Sequence, residues 1–182
     1  MDDLSLYLLD IVQNSLKAEA DSITITLNEN SLTNLLTLTI QDNGCGMSES
    51  EVTQAVSPFY TTRKTRKVGL GLPFLKMAAN LADGDLTIAS QKGIGTKVIV
   101  TFVLNHVNTP PLGNMGETIY TIMIHPQLKD LKYVHTYDDR VFTVDLGTIL
   151  TLLDGVPLTE YAIMNYLKSY INDNVESIRR HL

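Results

Sequence analysis

Between residues 23 and 40 the chain keeps a period of two: Ile23, Ile25 and Leu27 alternate with Thr24 and Thr26, then Leu36, Leu38 and Ile40 alternate with Thr37 and Thr39. Successive side chains of a strand point to opposite faces, so both segments read as half-buried strands, with residues 31–34 as the turn between them. Before them, Leu4, Leu8, Leu9, Val12 and Leu16 lie on one stripe of a helix spanning about 2–19, with Asp2, Asp3 or Ser5 available as its cap. After them, Ser48 followed by Glu51 is a capping-box pattern opening a short helix to about Val56. Pro73 suits the first turn of a helix running to about Leu81. LTIAS, a turn over 92–95 and TKVIVTFVL then form a hairpin.

The segment NHVNTPPLGNMG, with two adjacent prolines and two glycines, reads as a linker over 105–116. Beyond it, ETIYTIMIH, LKYVHTY and RVFTVDL read as strands, with Asp138-Asp139 as a turn, followed by helical patterns at about 146–153 and 159–179. The chain thus divides into a first domain over 1–104, a linker over 105–116, and a small α+β appendage over 117–182.

Composition narrows the function. At 182 residues with 44% hydrophobic side chains, the chain has enough apolar surface for a real core and is too short for a multidomain enzyme. Its single cysteine, Cys45, allows neither an intrachain disulfide nor a thiolate zinc site, which fits a reducing compartment. No apolar run reaches membrane-spanning length and the N-terminus opens on two acids, so no membrane association and a cytoplasmic location are expected. A net charge of −6 argues against nucleic-acid binding. Yet Arg63, Lys64, Arg66 and Lys67, four of the 14 basic residues, crowd into five positions. That run is either a solvated loop or the cationic cover of an anion.

Four pieces of the first domain carry chemistry when read together. Asp10 and Asn14 are four apart and share one helix side: they are polar surface, or oxygen donors for a hard cation and an attacking water. Asp42-Asn43-Gly44-Cys45-Gly46-Met47 ends an apolar strand. It is a turn, or a carboxylate able to accept from an exocyclic amine beside glycines that let backbone approach a flat ligand. Asp42 is expected near solvent there, and Cys45 is small filler with no redox role. Gly69-Leu70-Gly71-Leu72 precedes a helix whose N-terminus attracts phosphate, and Gly95-Thr96 opens the last strand of the first domain.

The order LLDIVQNSLKA, QDNGCGM, SPFYTTRKTRKVGLGLPFLKMAA, KGIGTKVIVTF, covering about residues 4–104, resembles the N, G1, F/G2 and G3 boxes of the GHKL superfamily, the histidine kinase-like ATPase domains. The resemblance implies a Bergerat-type α/β sandwich, a mixed sheet covered on one face by helices, with ATP under a lid formed by 57–71. It implies that Asp42 binds the adenine amine, that Gly44 and Gly46 shape the base pocket, that Thr96 supports adenine through water, and that Asn14 ligates Mg2+. Gly69 and Gly71 would approach the phosphates, and Met47, Lys64, Leu70 and Leu72 complete the candidate nucleotide-binding set. Asp10 stands where ATP-hydrolysing members usually carry glutamate and many histidine kinases carry asparagine, which makes it the candidate catalytic residue. The whole chain, junction VNTPPLGNMGETI included, is also similar to a group of small stand-alone bacterial ATP-binding proteins.

No helix hairpin with a phosphoacceptor histidine precedes the nucleotide boxes; His106, His125, His135 and His181 all follow them, in the linker, two strands and the tail. The resemblance therefore implies an Mg-ATP-binding protein that phosphorylates a separate, unidentified partner or hydrolyses ATP to drive a switch. The alternative is a non-catalytic ATP sensor. Association into a homodimer is left open.

Overall fold

The computed structural model describes residues 3–56 and 71–180. The basic run, Lys64, Gly69, Leu70, His181 and all of the expected lid except Gly71 lie outside the described residues.

Helix α1 (Leu4–Lys17) begins at Asp3, whose side chain accepts the Leu6 N–H at 3.0 Å, and buries Leu4, Leu8, Ile11 and Val12. Of the three candidate caps, Asp3 takes the role. The helix ends with the Ala20 N–H donating to the Ser15 carbonyl and the Glu19 N–H to the Leu16 carbonyl. This is a Schellman closure, and it places Glu19 at a φ of 64°, where glycine is the usual residue. Strands β1 (Ser22–Asn30) and β2 (Leu35–Asp42) pair antiparallel, with Ile25 opposite Ile40 and Leu27 opposite Leu38. Helix α2 (Glu49–Ala55) starts on the expected capping box: the Ser48 side chain accepts the Glu51 N–H, and the Glu51 carboxylate accepts the Ser48 N–H at 2.7 Å. Helix α3 (Gly71–Leu81) has Pro73 in its first turn, and β3 (Leu86–Gln91) and β4 (Gly95–Val103) form the hairpin.

The segment ETIYTIMIH departs from its strand expectation. It forms helix α4 (Met115–Met123), which starts inside the stretch expected as linker. The Asn114 side chain accepts the Glu117 N–H, and Met115, Ile119, Ile122 and Met123 share a buried face at helical spacing. The β-branched residues favoured a strand locally; the cap and the apolar face against neighbouring helices override that preference. His125 therefore sits in the turn after α4 rather than on a strand. The remaining elements match their expectations closely: β5 (Asp130–Tyr137), β6 (Arg140–Asp145), α5 (Leu146–Leu153) and α6 (Tyr161–Arg179).

The six strands of the described residues belong to one mixed sheet, in the order β3-β4-β2-β1-β5-β6. Strand β5 runs parallel to β1, with Ile25 opposite Tyr133, so residues 117–182 extend the sheet of residues 1–104. Paired residues share a face, and the buried ones (Ile25, Ile40, Tyr133, Val98, Phe102, Val144) fall on one side, while Thr24, Thr26, Thr37 and Thr39 on the other are only partly buried. Helices α1, α3, α4 and α6 contribute to a single apolar core with the buried face. Among the described residues no helix is long and apolar enough to cross a membrane.

One polar row crosses that core. Glu29 and His135 are both 0% exposed. The Glu29 carboxylate lies 2.8 Å from His135 Nε2 and 2.9 Å from Arg179 Nε, and His135 Nδ1 lies 2.8 Å from the Tyr133 hydroxyl. A neutral imidazole carrying its proton on Nε2 satisfies the whole row: it donates to Glu29 and accepts from Tyr133. Burial, helped by the Glu29 charge, pushes the Tyr133 hydroxyl well above its ordinary range, so it stays a donor.

Candidate functional site

The C-terminal end of β2, the start of β4, the end of β3 and the last turns of α1 converge on Asp42. Its Oδ1 accepts the Gly44 N–H at 2.9 Å and the Thr96 N–H at 3.2 Å, while Oδ2 accepts the Ser15 hydroxyl at 2.6 Å. An ionised carboxylate has about four lone-pair directions, so these three donors leave acceptor capacity on Oδ2. Asp42 is partly buried. Ser15 is buried on the apolar side of α1, and no spacing rule singles it out, because its partner is 27 residues away.

The loop after Asp42 is held from below. The Cys45 N–H donates to the Ala18 carbonyl at 2.7 Å, and the Cys45 carbonyl accepts the Gly93 N–H at 2.8 Å. Asn43 turns away from the site: its Oδ1 accepts the Asp21 and Ser22 N–H groups, and its Nδ2 donates to Asp21 Oδ1. Together with Lys129, these bonds hold the Asp21 carboxyl below its usual range, the Asn43 amide being the larger cause. Gly46 has φ 65° and lies so close to the Gln91 carbonyl that a β-carbon would overlap it. Gly95, at φ 137°, is pressed in the same way against the Asp42 carbonyl. Both positions require glycine.

A second serine, Ser90, ties the strands to this loop. Its hydroxyl accepts the Met47 N–H at 2.8 Å, donates to the Gly95 carbonyl at 2.9 Å, and lies 2.9 Å from Thr96 Oγ1. Ser90 has one proton and donates it to Gly95, so Thr96 donates to Ser90 and keeps its own lone pairs to accept.

Across from Asp42, α1 carries the other expected pair. Asp10 is exposed and Asn14 half-buried, and neither side chain has a hydrogen-bond partner among the described residues. Gly71, the first residue of α3, abuts Asp10: a β-carbon there would lie 3.1 Å from Asp10 Cβ and 3.3 Å from Oδ2. Leu72 is partly buried against the core. The fold thus joins Asp42, Gly44, Met47 and Thr96 by hydrogen bonds in one loop cluster, packs Gly46 of that loop against Gln91, and brings Asp10 to Gly71. Among the described residues no three His, Cys, Asp or Glu side chains gather to cage a metal.

Residues 1–106 match the family model described as "Histidine kinase-, DNA gyrase B-, and HSP90-like ATPase". The chain belongs to this family. Its matched region is also similar to a "Putative sensor protein" of Shewanella frigidimarina, 31% identical over 103 residues. That match takes in 56% of this chain and 16% of that protein. "Sensor protein DegM" of a Bacillus species is 28% identical over 101 residues, 56% of this chain and 27% of DegM. "Sensor histidine kinase WalK" of Bacillus subtilis is 30% identical over 107 residues, 55% of this chain and 18% of WalK. The chain therefore spans a small part of the length of these relatives. Among solved structures, the catalytic domain of histidine kinase ThkA aligns with a TM-score of 0.43 at 17% identity, over 54% of this chain and 64% of that one. The mixed sheet with one helix-covered face is the architecture expected for an ATPase domain of this family.

Proposed function

We propose that the chain binds Mg-ATP on the surface built by the Asp42 loop and the polar side of α1, and uses it to phosphorylate a separate partner protein or to drive a hydrolysis-linked switch. The observation that carries this reading is the Asp42 carboxylate: three internal donors orient it, and its remaining lone-pair capacity suits an exocyclic amine. Thr96, whose hydroxyl donates to Ser90 and still has lone pairs to accept, supports a water between itself and the base. Gly44 and Gly46 let the loop lie tight against Ala18 and Gln91, and so shape the floor on which a flat ring would rest. The residues present also fit magnesium: Asn14 offers a carboxamide oxygen, and a hard cation that keeps several waters needs few protein ligands. When bound, the metal would neutralise phosphate charge.

Asp10 is one turn before Asn14 and free of partners among the described residues, so its carboxylate is able to orient a water or hydroxyl nucleophile. Asp10 also lies beside Gly71, the first described residue of α3, which supports a role for it on the proposed phosphate side. Gly69, Leu70 and Lys64 complete the proposed phosphate side, with 57–71 as a cationic lid.

Incubation with γ-labelled ATP separates the outcomes. Label transferred to a partner protein supports the kinase form; steady phosphate release that Asp10→Asn abolishes supports the ATPase form. Binding without either is the nucleotide-sensor reading, and no binding in millimolar magnesium overturns all three.

A further inference from the structure

The family match ends at residue 106, yet the wall of the candidate nucleotide pocket is held from beyond it. Gln127 lies in the turn between α4 and β5, and its side-chain Nε2 donates to two backbone carbonyls at the end of α1: Leu16 at 2.8 Å and Ala20 at 2.7 Å. These two carbonyls flank Ala18, whose own carbonyl accepts the Cys45 N–H at 2.7 Å and so supports the loop after Asp42. The clasped turn carries Glu19 at φ 64°, a conformation that a non-glycine side chain disfavours, so it needs external support to hold its shape. Two residues on, the Lys129 N–H donates to the Asp21 carbonyl and its ammonium pairs with the Asp21 carboxylate, whose other oxygen accepts from Asn43 in the same loop.

We infer that Gln127 is a positioning residue of the nucleotide pocket, acting through the α1 terminus and the Ala18–Cys45 hydrogen bond to set the loop on which the base rests. The inference rests on the nucleotide reading of that pocket and adds a part of the site that lies outside the family's region. It also gives residues 117–182 a direct purchase on the affinity of the pocket, because whatever displaces the 125–130 turn moves the loop.

The test uses the full chain with Gln127→Glu, which keeps size but sets a carboxylate against two carbonyls, and Gln127→Lys, which keeps a donor. Gln127 is exposed, so both variants are expected to fold, with melting temperature as the check. Two readouts are taken well below melting: hydrogen-exchange protection of the Cys45 amide without nucleotide, and dissociation constants for ATP and ADP. In Gln127→Glu, Cys45 protection should fall and both nucleotides should weaken by the same factor, about three- to tenfold, since a lost hydrogen bond acts at the base end shared by both. Gln127→Lys should restore both readouts. Unchanged Cys45 protection, or unchanged affinity with protection lost, overturns the positioning role while leaving the nucleotide site standing. Failure of the wild type to bind ATP overturns the nucleotide reading, and the role with it, whatever Cys45 does.

Discussion

Asp42 illustrates how much a single carboxylate carries here. A strand-end aspartate before two glycines stands out in the sequence as a turn or a binding acid, and its exposure is expected to make it dispensable for folding. In the structure it terminates three donors from α1, its own loop and β4. Asp42→Asn replaces one acceptor oxygen with a donor, so one of those groups faces an amide N–H instead. We expect loss of ATP binding by calorimetry and also a stability loss of about 1–3 kcal/mol in urea titration. Farther along the same loop, the Ser48 backbone and hydroxyl, with help from Lys92, hold the Glu51 carboxyl down to about 2. A depressed carboxyl stabilises the fold above its ordinary value near 4.5 and loses that contribution as pH falls toward 2. Thermal melts from pH 5 to pH 2 should therefore fall less steeply for Glu51→Gln than for the wild type.

Helix ends decide more than helix interiors in this chain. Helix α4 was legible in principle from Asn114 followed three residues later by Glu117, the same type of signal that correctly placed α2 from Ser48 and Glu51. The run of β-branched and aromatic residues from Thr118 to Ile124 obscured it, because a short apolar run of this kind fits both periods. Asn114→Ala should cost about 1 kcal/mol or somewhat more, since Asn114 also accepts from Asn172 on α6. Chemical denaturation measures this, with retained helix content showing that the cap alone was lost. At the end of α1, Glu19→Gly should stabilise by up to about 1 kcal/mol, because glycine occupies the left-handed position without the side-chain penalty. A lower melting temperature would mean that Glu19 makes a contribution its geometry does not reveal.

At the scale of the molecule, the proline-rich stretch at 105–114 looks like a boundary and behaves like a strap. Its Pro111 and Leu112 carbonyls accept the Leu4 and Ser5 N–H groups at the start of α1, and the chain beyond it forms α4 and two further strands of the same sheet. Residues 1–104 alone would leave the β1 edge unpaired and the α1 face that meets α4 uncovered. Such a fragment should aggregate or give a poorly dispersed NMR spectrum, where the full chain is well folded. The buried Glu29 makes the same point. Arg179→Ala, near the C-terminal end of α6, removes the cation that faces it and should cost about 3 kcal/mol, toward the low end for a buried pair because the arginine is 42% exposed.

The sequence by itself determined the local elements and the chemistry at their ends: strand periods, the Ser48 cap, the Asp42-to-Gly46 loop, and the pairing of Asp10 with Asn14 on one helix side. These are written within a few residues of one another, and backbone sterics and caps act at that range. Only the tertiary structure decided that Ser15 faces Asp42, that Ser90 orients Thr96, that β5 joins β1, and that Gln127 clasps the end of α1. Each of these joins groups 6 to 111 residues apart. Such contacts arise from the pairing of strands and the burial of one sheet face, and no local pattern along the chain encodes which distant partner a hydroxyl or an amide will meet.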